Sequence, residues 1–560
     1  MLRKIRLTLA ILFFALITLL FLDFTGSVHA LFGWMARIQF LPALLAVNVG
    51  VVLFWVLLTL LFGRVYCSVI CPLGVMQDVV AWFSKRKKKN RYSYSPAKSW
   101  LRYGVLVLFV VALIAGIGSV VALLAPYSAY GRIAQNLFAP IWACGNNILA
   151  YLAERMNSYA FYETEVWVRS LPTFIVAGAT LLILVVLAWR SGRTYCNTIC
   201  PVGTVLGLLS RFSLFRPVID LNKCNGCKLC SRRCKASCIN ADAHQIDYSR
   251  CVVCMDCIDV CRQGAISYQY RFKRSETAPA ADHETAASQA ADHADSVSAT
   301  VSTSTSASTG TTSSTCAPFV HESGAAPLSS ESNVVTCTAS GISTINPLSD
   351  TGKMRRRFLT GLGLWLGAVA VKAQEKKVDG GLAVILDKKI PERLTPIVPP
   401  GARGLHHLTA HCTGCQLCVA VCPNGVLRPS TDPMRLMQPE MSYERGYCRP
   451  ECTKCSEVCP AGAILPITPA EKSAIQIGHA VWVKENCLPV TDGVACGNCA
   501  RHCPAGAIRM VPLDSNREGS PKIPIVNEER CIGCGACEDL CPARPFSAIY
   551  VEGHKRHRMI

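Results

Sequence analysis

Six times in 560 residues, four cysteines fall close together. Cys224, Cys227, Cys230, Cys234 and Cys251, Cys254, Cys257, Cys261 each read C-x2-C-x2-C-x3-C. Cys412, Cys415, Cys418, Cys422 and Cys531, Cys534, Cys537, Cys541 repeat the spacing and add Pro423 and Pro542. Cys448, Cys452, Cys455, Cys459 has one extra residue in its first gap. Cys487, Cys496, Cys499, Cys503 has a long first gap; Pro460 and Pro504 close these two runs. Four thiolates in this pattern cage an iron–sulfur cubane, and in two-cluster units the fourth cysteine of one run crosses to the neighbouring cluster. That rule groups Cys224, Cys227, Cys230 with Cys261, and Cys251, Cys254, Cys257 with Cys234. It groups Cys412, Cys415, Cys418 with Cys459, and Cys448, Cys452, Cys455 with Cys422. The last two groups are Cys487, Cys496, Cys499 with Cys541, and Cys531, Cys534, Cys537 with Cys503. Six [4Fe–4S] clusters use 24 of the 32 cysteines. Zinc prefers paired C-x2-C knuckles, and a disulfide framework would compete for thiols committed to iron. The first two runs lack the usual proline: Lys235 follows Cys234 and Arg262 follows Cys261. Cys238, four residues past Cys234, could substitute as a ligand and is read as a spare thiol.

The chain is also apolar, with hydrophobic residues at 51% and a mean hydropathy of +0.30. Four apolar stretches, 7–24, 40–62, 104–125 and 171–189, are each long enough to cross a bilayer as a helix. The net charge of +20 raises the question of nucleic acid, but the basic residues lie elsewhere. Arg3, Lys4 and Arg6 precede the first stretch, and Arg64, Lys85 to Lys89, Arg91, Lys98 and Arg102 follow the second. The loop 126–170 holds only Arg132, Arg155 and Arg169. This asymmetry predicts a cytoplasmic N-terminus and a basic face on anionic lipid, with no nucleic-acid partner.

The apolar half repeats itself. Residues 63–74 read GRVYCSVICPLG and residues 192–203 read GRTYCNTICPVG, eight of twelve positions alike at an offset of 129. Each C-x-x-x-C-P motif supplies two thiols, Cys67 and Cys71 in one half, Cys196 and Cys200 in the other. Together these could hold a metal or a cluster, act as redox thiols, or simply pack helix ends. Asp23, His29 and Asp78 lie near the ends of the apolar stretches, where a solvated or helix-capping role competes with proton handling.

These features divide the chain into a four-span module (1–204), a two-cluster domain (205–274), a Ser/Thr/Ala-rich linker (275–353), a twin-arginine-like segment (354–373) and a four-cluster domain of two tandem units (374–560). The linker composition cannot bury a core. Arg355, Arg356, Arg357 before Phe358 and Leu359 open a short apolar run, an export-type signal or a fifth span. Either puts the last domain outside. The expected fold class is a helical membrane bundle joined to α+β bacterial ferredoxin-like domains.

With its spans, C-x-x-x-C-P motifs and two clusters, the first part resembles the NapH-type membrane ferredoxins. The last part, with its twin arginines and four clusters, resembles the NapG/MauM-type exported ferredoxins. The chain looks like a fusion of the two. The resemblance implies a quinol dehydrogenase in the bacterial inner membrane, passing electrons from menaquinol or ubiquinol to a periplasmic reductase of the nitrate-reductase type. Two alternatives stand beside it: a metal-handling assembly factor for a respiratory oxidase, suggested by another family with C-x-x-x-C-P motifs, and a ferredoxin subunit without its own quinone site.

Overall fold

The computed structural model describes residues 2–23, 26–87, 92–164, 166–272 and 386–560. The linker 275–353, the twin-arginine-like segment 354–373, Cys316 and Cys337 lie outside the described residues. The described residues up to 272 and from 386 onward belong to one compact unit.

The first half opens with α1 (Leu2–Leu22). Three short helices, α2 (Ser27–Phe32), α3 (Trp34–Arg37) and α4 (Phe40–Leu45), lead to α5 (Val49–Phe62), α6 (Val65–Val69) and α7 (Pro72–Lys87). The second half runs through α8 (Ser99–Ile114), α9 (Gly118–Leu124), α10 (Pro126–Ile133), α11 (Ala139–Arg155), α12 (Leu171–Ser191), α13 (Thr194–Thr198) and α14 (Pro201–Ser210). The halves interlock. α1 packs on α6 and α7, α8 on α13 and α14, and each half also lends a helix to the other through α5 with α14 and α7 with α12.

α1 and α12, with 21 residues each, are long and apolar enough to cross a membrane. The stretches 40–62 and 104–125 are not the single spans expected of them. Val47 turns left-handed (φ 54°), and Asn48 caps α5 by accepting from the Val51 N–H at 3.3 Å. Gly116 (φ 72°) likewise separates α8 from α9. That leaves α5 with 14 residues and α8 with 16, about 21 and 24 Å at ~1.5 Å per residue, short of a ~30 Å hydrocarbon core. An apolar hairpin and an apolar helix bury the same kinds of side chain, so hydropathy reads them alike. Only 22% of the most apolar window of α1 or α12 is buried. Leu12, Leu57, Val107, Val111 and Leu182 face outward. The core helix of a soluble protein would hide such side chains, so this belt marks membrane association.

Beyond the bundle, β1 (Phe215–Ile219), β2 (Ile239–Asn240), β3 (Gln245–Ile246) and β4 (Ile266–Tyr270) form two antiparallel ribbons, β1 with β4 and β2 with β3. The C-terminal part builds three more from β5 (Leu427–Pro429), β6 (Pro439–Met441), β7 (Ile475–Trp482), β8 (Ile508–Pro512), β9 (Lys522–Val526) and β10 (Ile549–Met559). β5 pairs with β6, β8 with β9, and the last strand β10 returns to β7. The β1–β4 ribbon encloses Cys224 to Cys261, and the β7–β10 ribbon encloses Cys487 to Cys541. One apolar core joins the bundle to the first two runs and takes in Cys415 and Leu417; a second fills the C-terminal part.

Candidate functional sites

The cysteine loops are built for close backbone approach. In the four runs that begin C-x2-C-x2-C, the residue after the second cysteine is left-handed: Lys228, Met255, Gln416 and Gly535, with φ 57°, 63°, 64° and 81°. Three of these are not glycine, so each run accepts backbone strain to curl its amides inward into an anion-binding nest. The two irregular runs lack the feature, since Thr453 and Gly497 have φ −113° and −162°. Backbone N–H groups reach several sulfurs: Gly414 to Cys412 at 3.4 Å, Ile464 to Cys459 at 3.4 Å, Ala507 to Cys503 at 3.3 Å and Ala548 to Cys541 at 3.3 Å. Such donors favour thiolates that share charge with iron.

The structure brings cysteines of different runs together. Cys224, Cys227, Cys230 and Cys261 line one cavity, and Cys448, Cys452, Cys455 and Cys422 line another. Cys257 lies within electrostatic reach of Cys254, Cys251 and Cys234, and Cys418 of Cys415, Cys412 and Cys459. Cys499 lies so with Cys496, Cys541 and Cys487, and Cys537 with Cys534, Cys531 and Cys503. Among the described residues no group of three metal-ligating side chains converges tightly enough to hold a single ion. Thiols held apart around a common space fit the corners of a cubane.

The groups also follow one another. The Cys224 and Cys251 groups adjoin through Cys230 and Cys257, and the Cys412 and Cys448 groups through Cys418 and Cys455. The Cys448 N–H donates to the Cys534 carbonyl at 3.0 Å, linking the Cys448 and Cys531 groups. The Cys531 and Cys487 groups share crossing cysteines, which leaves the Cys487 group at the far end.

Cys238 is not an idle surface thiol. It is buried, its Sγ lies 3.5 Å from that of Cys234, and that hydrogen bond pulls the Cys234 thiol down to about 7. Four residues past the last cysteine, four of the other five runs place a buried Ala265, Val426, Ala463 or Ala507.

The four C-x-x-x-C-P thiols converge inside the bundle, all buried. Cys200 lies within electrostatic reach of Cys196, Cys71 and Cys67, and Cys71 of Cys196 and Cys67. Pro72 and Pro201 open α7 and α14, and the Gly203 N–H donates to the Cys200 Sγ at 3.3 Å. Arg64 and Arg193 occupy matching places in the repeat and both are fully buried. Arg64 Nη2 donates to the Cys196 carbonyl at 3.2 Å, and Arg193 Nη1 to the Cys67 carbonyl at 2.5 Å. Gln77 Nε2 reaches the Cys196 Sγ at 3.2 Å. A Cβ at Gly74 would strike the Cys67 carbonyl and one at Gly203 the Cys196 carbonyl, so glycine closes each motif to let the helices touch. Sequence reasoning counted Arg64 and Arg102 as loop charges. Their burial corrects that; for Arg64 the signal was present in the repeated Gly-Arg that opens each motif, and Arg102 carries no such signal.

Asp78 is buried among Arg6 at 2.7 Å, Arg193 at 2.9 Å and Lys235 at 3.5 Å. Burial alone would raise its carboxyl; the surrounding cations outweigh that and hold it far below the usual carboxylate range. Asp23 caps α2, accepting from the Gly26, Val28 and His29 N–H groups at 2.9, 2.9 and 3.2 Å, and it meets His29 Nδ1 at 3.2 Å. His29 Nε2 is buried without a hydrogen-bond partner, and burial lowers the ring's pKa.

Comparison with known proteins fits this chemistry. A family model described as a 4Fe-4S binding domain matches residues 44–91 and 173–220, a 4Fe-4S dicluster domain matches 411–463 and 494–544, and a second 4Fe-4S binding domain matches 244–267. The chain is 25% identical over 260 residues to an uncharacterized protein of Methanocaldococcus jannaschii, covering 45% of this chain and 82% of the relative. It is 28% identical over 234 residues to the ferredoxin-type protein NapH of Haemophilus influenzae, covering 40% of this chain and 68% of the relative. No solved structure matches it. Over 163 residues it is 34% identical to the methylamine utilization ferredoxin-type protein MauM of Methylophilus methylotrophus, covering 28% of this chain and 71% of the relative. The chain is a multi-[4Fe–4S] electron-transfer protein and belongs to the MauM family of ferredoxin-type proteins.

Proposed function

We propose that this chain is a membrane-bound quinol dehydrogenase and electron conduit, a NapH-type membrane ferredoxin fused to a MauM-type exported one. It holds six [4Fe–4S] clusters, takes electrons from quinol in the bacterial cytoplasmic membrane and passes them through the outer four to a periplasmic redox protein or reductase. The basic N-terminal side and the first two clusters lie inside, and the last four clusters lie outside.

One observation carries this reading: cysteine groups sit at both ends of α1. At its start Arg3 pairs with Asp256 at 3.0 Å and Asp259 at 2.6 Å, beside the Cys251 group. At its other end Phe21 packs with α10, whose Gly131 lies against the Cys415 carbonyl. With 21 residues at ~1.5 Å each, α1 separates the two ends by about 30 Å, one hydrocarbon thickness.

Two adjoining cavities of about 140 and 330 Å³ lie at the outer end of α1 and share Leu22, Asp23 and Trp142. The first is also lined by Arg169 and Ala420, next to the Cys412 group. A quinol head placed there would lie beside Cys412, Cys415, Cys418 and Cys459, whose cluster, when bound, would accept its two electrons one at a time, passing the first on before taking the second. The two protons leave through the Asp23–His29 pair to the outer solvent, and quinone departs. The clusters, when bound, supply the one-electron chemistry; the chain positions the head group and accepts the protons.

The test is anaerobic addition of a quinol to the purified, cluster-loaded protein. The visible absorbance of the clusters should bleach with one quinol consumed per two clusters reduced. Clusters that dithionite bleaches and quinol does not would leave the electron-transfer role standing and remove the quinol.

A further inference from the structure

The two matched stretches around the C-x-x-x-C-P motifs contain two cysteines each, so neither half completes a cluster alone. We propose that Cys67, Cys71, Cys196 and Cys200 together hold a seventh iron–sulfur cluster, shared between the halves of the bundle, which connects the inner cluster pair to the outer four. The proposal rests on the conduit reading above and deepens it.

Four observations converge. All four thiols are buried in the bundle's interior, where thiolates without a metal would be costly. They lie close to one another across the two halves: Cys200 is within electrostatic reach of Cys196, Cys71 and Cys67, and one Arg64 nitrogen touches both the Cys67 Sγ and the Cys196 carbonyl. Each half donates to sulfur: Gly203 N–H to Cys200 at 3.3 Å, Gln77 Nε2 to Cys196 at 3.2 Å and Arg64 Nη2 to Cys67 at 3.8 Å. Lastly, a cubane with four thiolates carries about two negative charges, and positive charge stands beside it on the fully buried Arg64 and on Arg193, which it would share with Asp78.

The position matters as much as the chemistry. On one side, Arg64 Nη1 donates to the Ser249 carbonyl at 3.2 Å, two residues before Cys251, and Asn197 Nδ2 to the Ala236 carbonyl at 3.3 Å, two residues after Cys234. On the other, the Tyr195 hydroxyl, next to Cys196 in sequence, donates to the Leu124 carbonyl at 3.4 Å. One residue on, Ala125 leads into α10, whose Gly131 lies against the Cys415 carbonyl. The site therefore lies between the Cys251 and Cys412 groups. Electron hopping weakens steeply with distance, and the two groups are otherwise separated by most of the length of α1. The seventh cluster takes one electron from a reduced neighbour, is itself reduced by one, and returns to its starting state by giving that electron to the other neighbour. No proton or further reactant is needed.

The experiment is iron and acid-labile sulfide analysis with Mössbauer spectroscopy on the full chain, prepared anaerobically, alongside a Cys67→Ser/Cys196→Ser variant. The wild type should hold about 28 irons, seven cubanes of four. The variant should hold about 24, and on quinol addition its clusters at one end should reduce at the wild-type rate while those at the other stay oxidised. A wild type with about 24 irons overturns the proposal even if the variant fails to fold. So does one zinc or copper ion per chain lost with the two cysteines. Quinol that reduces no cluster in the wild type would sink the quinol reading instead, and the iron count would still decide this one.

Discussion

Arg64 of the first half donates to the backbone carbonyl of Cys196 in the second at 3.2 Å, and its repeat mate Arg193 returns the bond to Cys67. The two guanidiniums clasp the halves across their internal symmetry and fix the C-x-x-x-C-P turns against each other. Arg64 also donates to Asn197 Oδ1 at 2.9 Å.

Arg64→Lys therefore keeps the charge and loses the fork that reaches four acceptors, on Cys67, Cys196, Asn197 and Ser249. The variant should be less stable by about 2–4 kcal/mol, since buried hydrogen bonds to a charged group are worth ~1.5–3 kcal/mol each and an ammonium replaces only some of them. Arg193→Lys should cost more, because Arg193 also binds Asp78. Thermal unfolding in detergent, followed by cluster absorbance, checks the order.

Asp78→Asn removes the shared partner of Arg6, Arg193 and Lys235. Leaving buried charge uncompensated should cost about 3–5 kcal/mol. The pH dependence has a definite sign. Because the folded-state pKa of Asp78 lies below its unfolded value, its contribution is complete above the ordinary carboxylate range of about 4 and is lost as pH falls through the lower folded value. The wild type should lose stability in acid more steeply than Asp78→Asn, with no difference in slope between about pH 6 and 8. Unfolding midpoints from acid up to about pH 8 decide it.

Cys238→Ala should keep the full iron content, because the equivalent slot in other runs is filled by Ala265, Ala463 and Ala507. Cys234→Ser should lose up to about four irons, the content of one cubane. The reverse result, iron lost with Cys238 and kept without Cys234, would exchange their roles.

His29→Gln should slow quinol-dependent cluster reduction by about ten-fold or more, the scale of a lost general base, and leave dithionite reduction unchanged. Stopped-flow traces with both reductants separate a proton-handling role from damage to the clusters.

Much of the site could be read in the cysteine spacing, because a cubane demands four thiolates and tolerates few arrangements of them. The halves of the bundle were legible for a similar reason: Gly-Arg-x-Tyr-Cys recurs where the same packing recurs. The breaks at Val47 and Gly116 were not. A left-handed turn inside an apolar stretch leaves hydropathy unchanged, and the Asn48 cap that marks it is a single polar residue. The burial of Arg102 was also hidden, since a charge count cannot tell a lipid-facing arginine from one clasped by carbonyls. Cys238 looked spare because spacing counts ligands and says nothing of the slot beneath a cluster.

The central claim is that electrons enter from quinol and leave outward through the clusters. Proteoliposomes carrying quinol in the membrane and ferricyanide only on the face of the C-terminal clusters test it most directly. Two ferricyanides reduced per quinol oxidised, with cluster signals bleaching first, is the predicted result. Ferricyanide untouched while the clusters remain oxidised would contradict it.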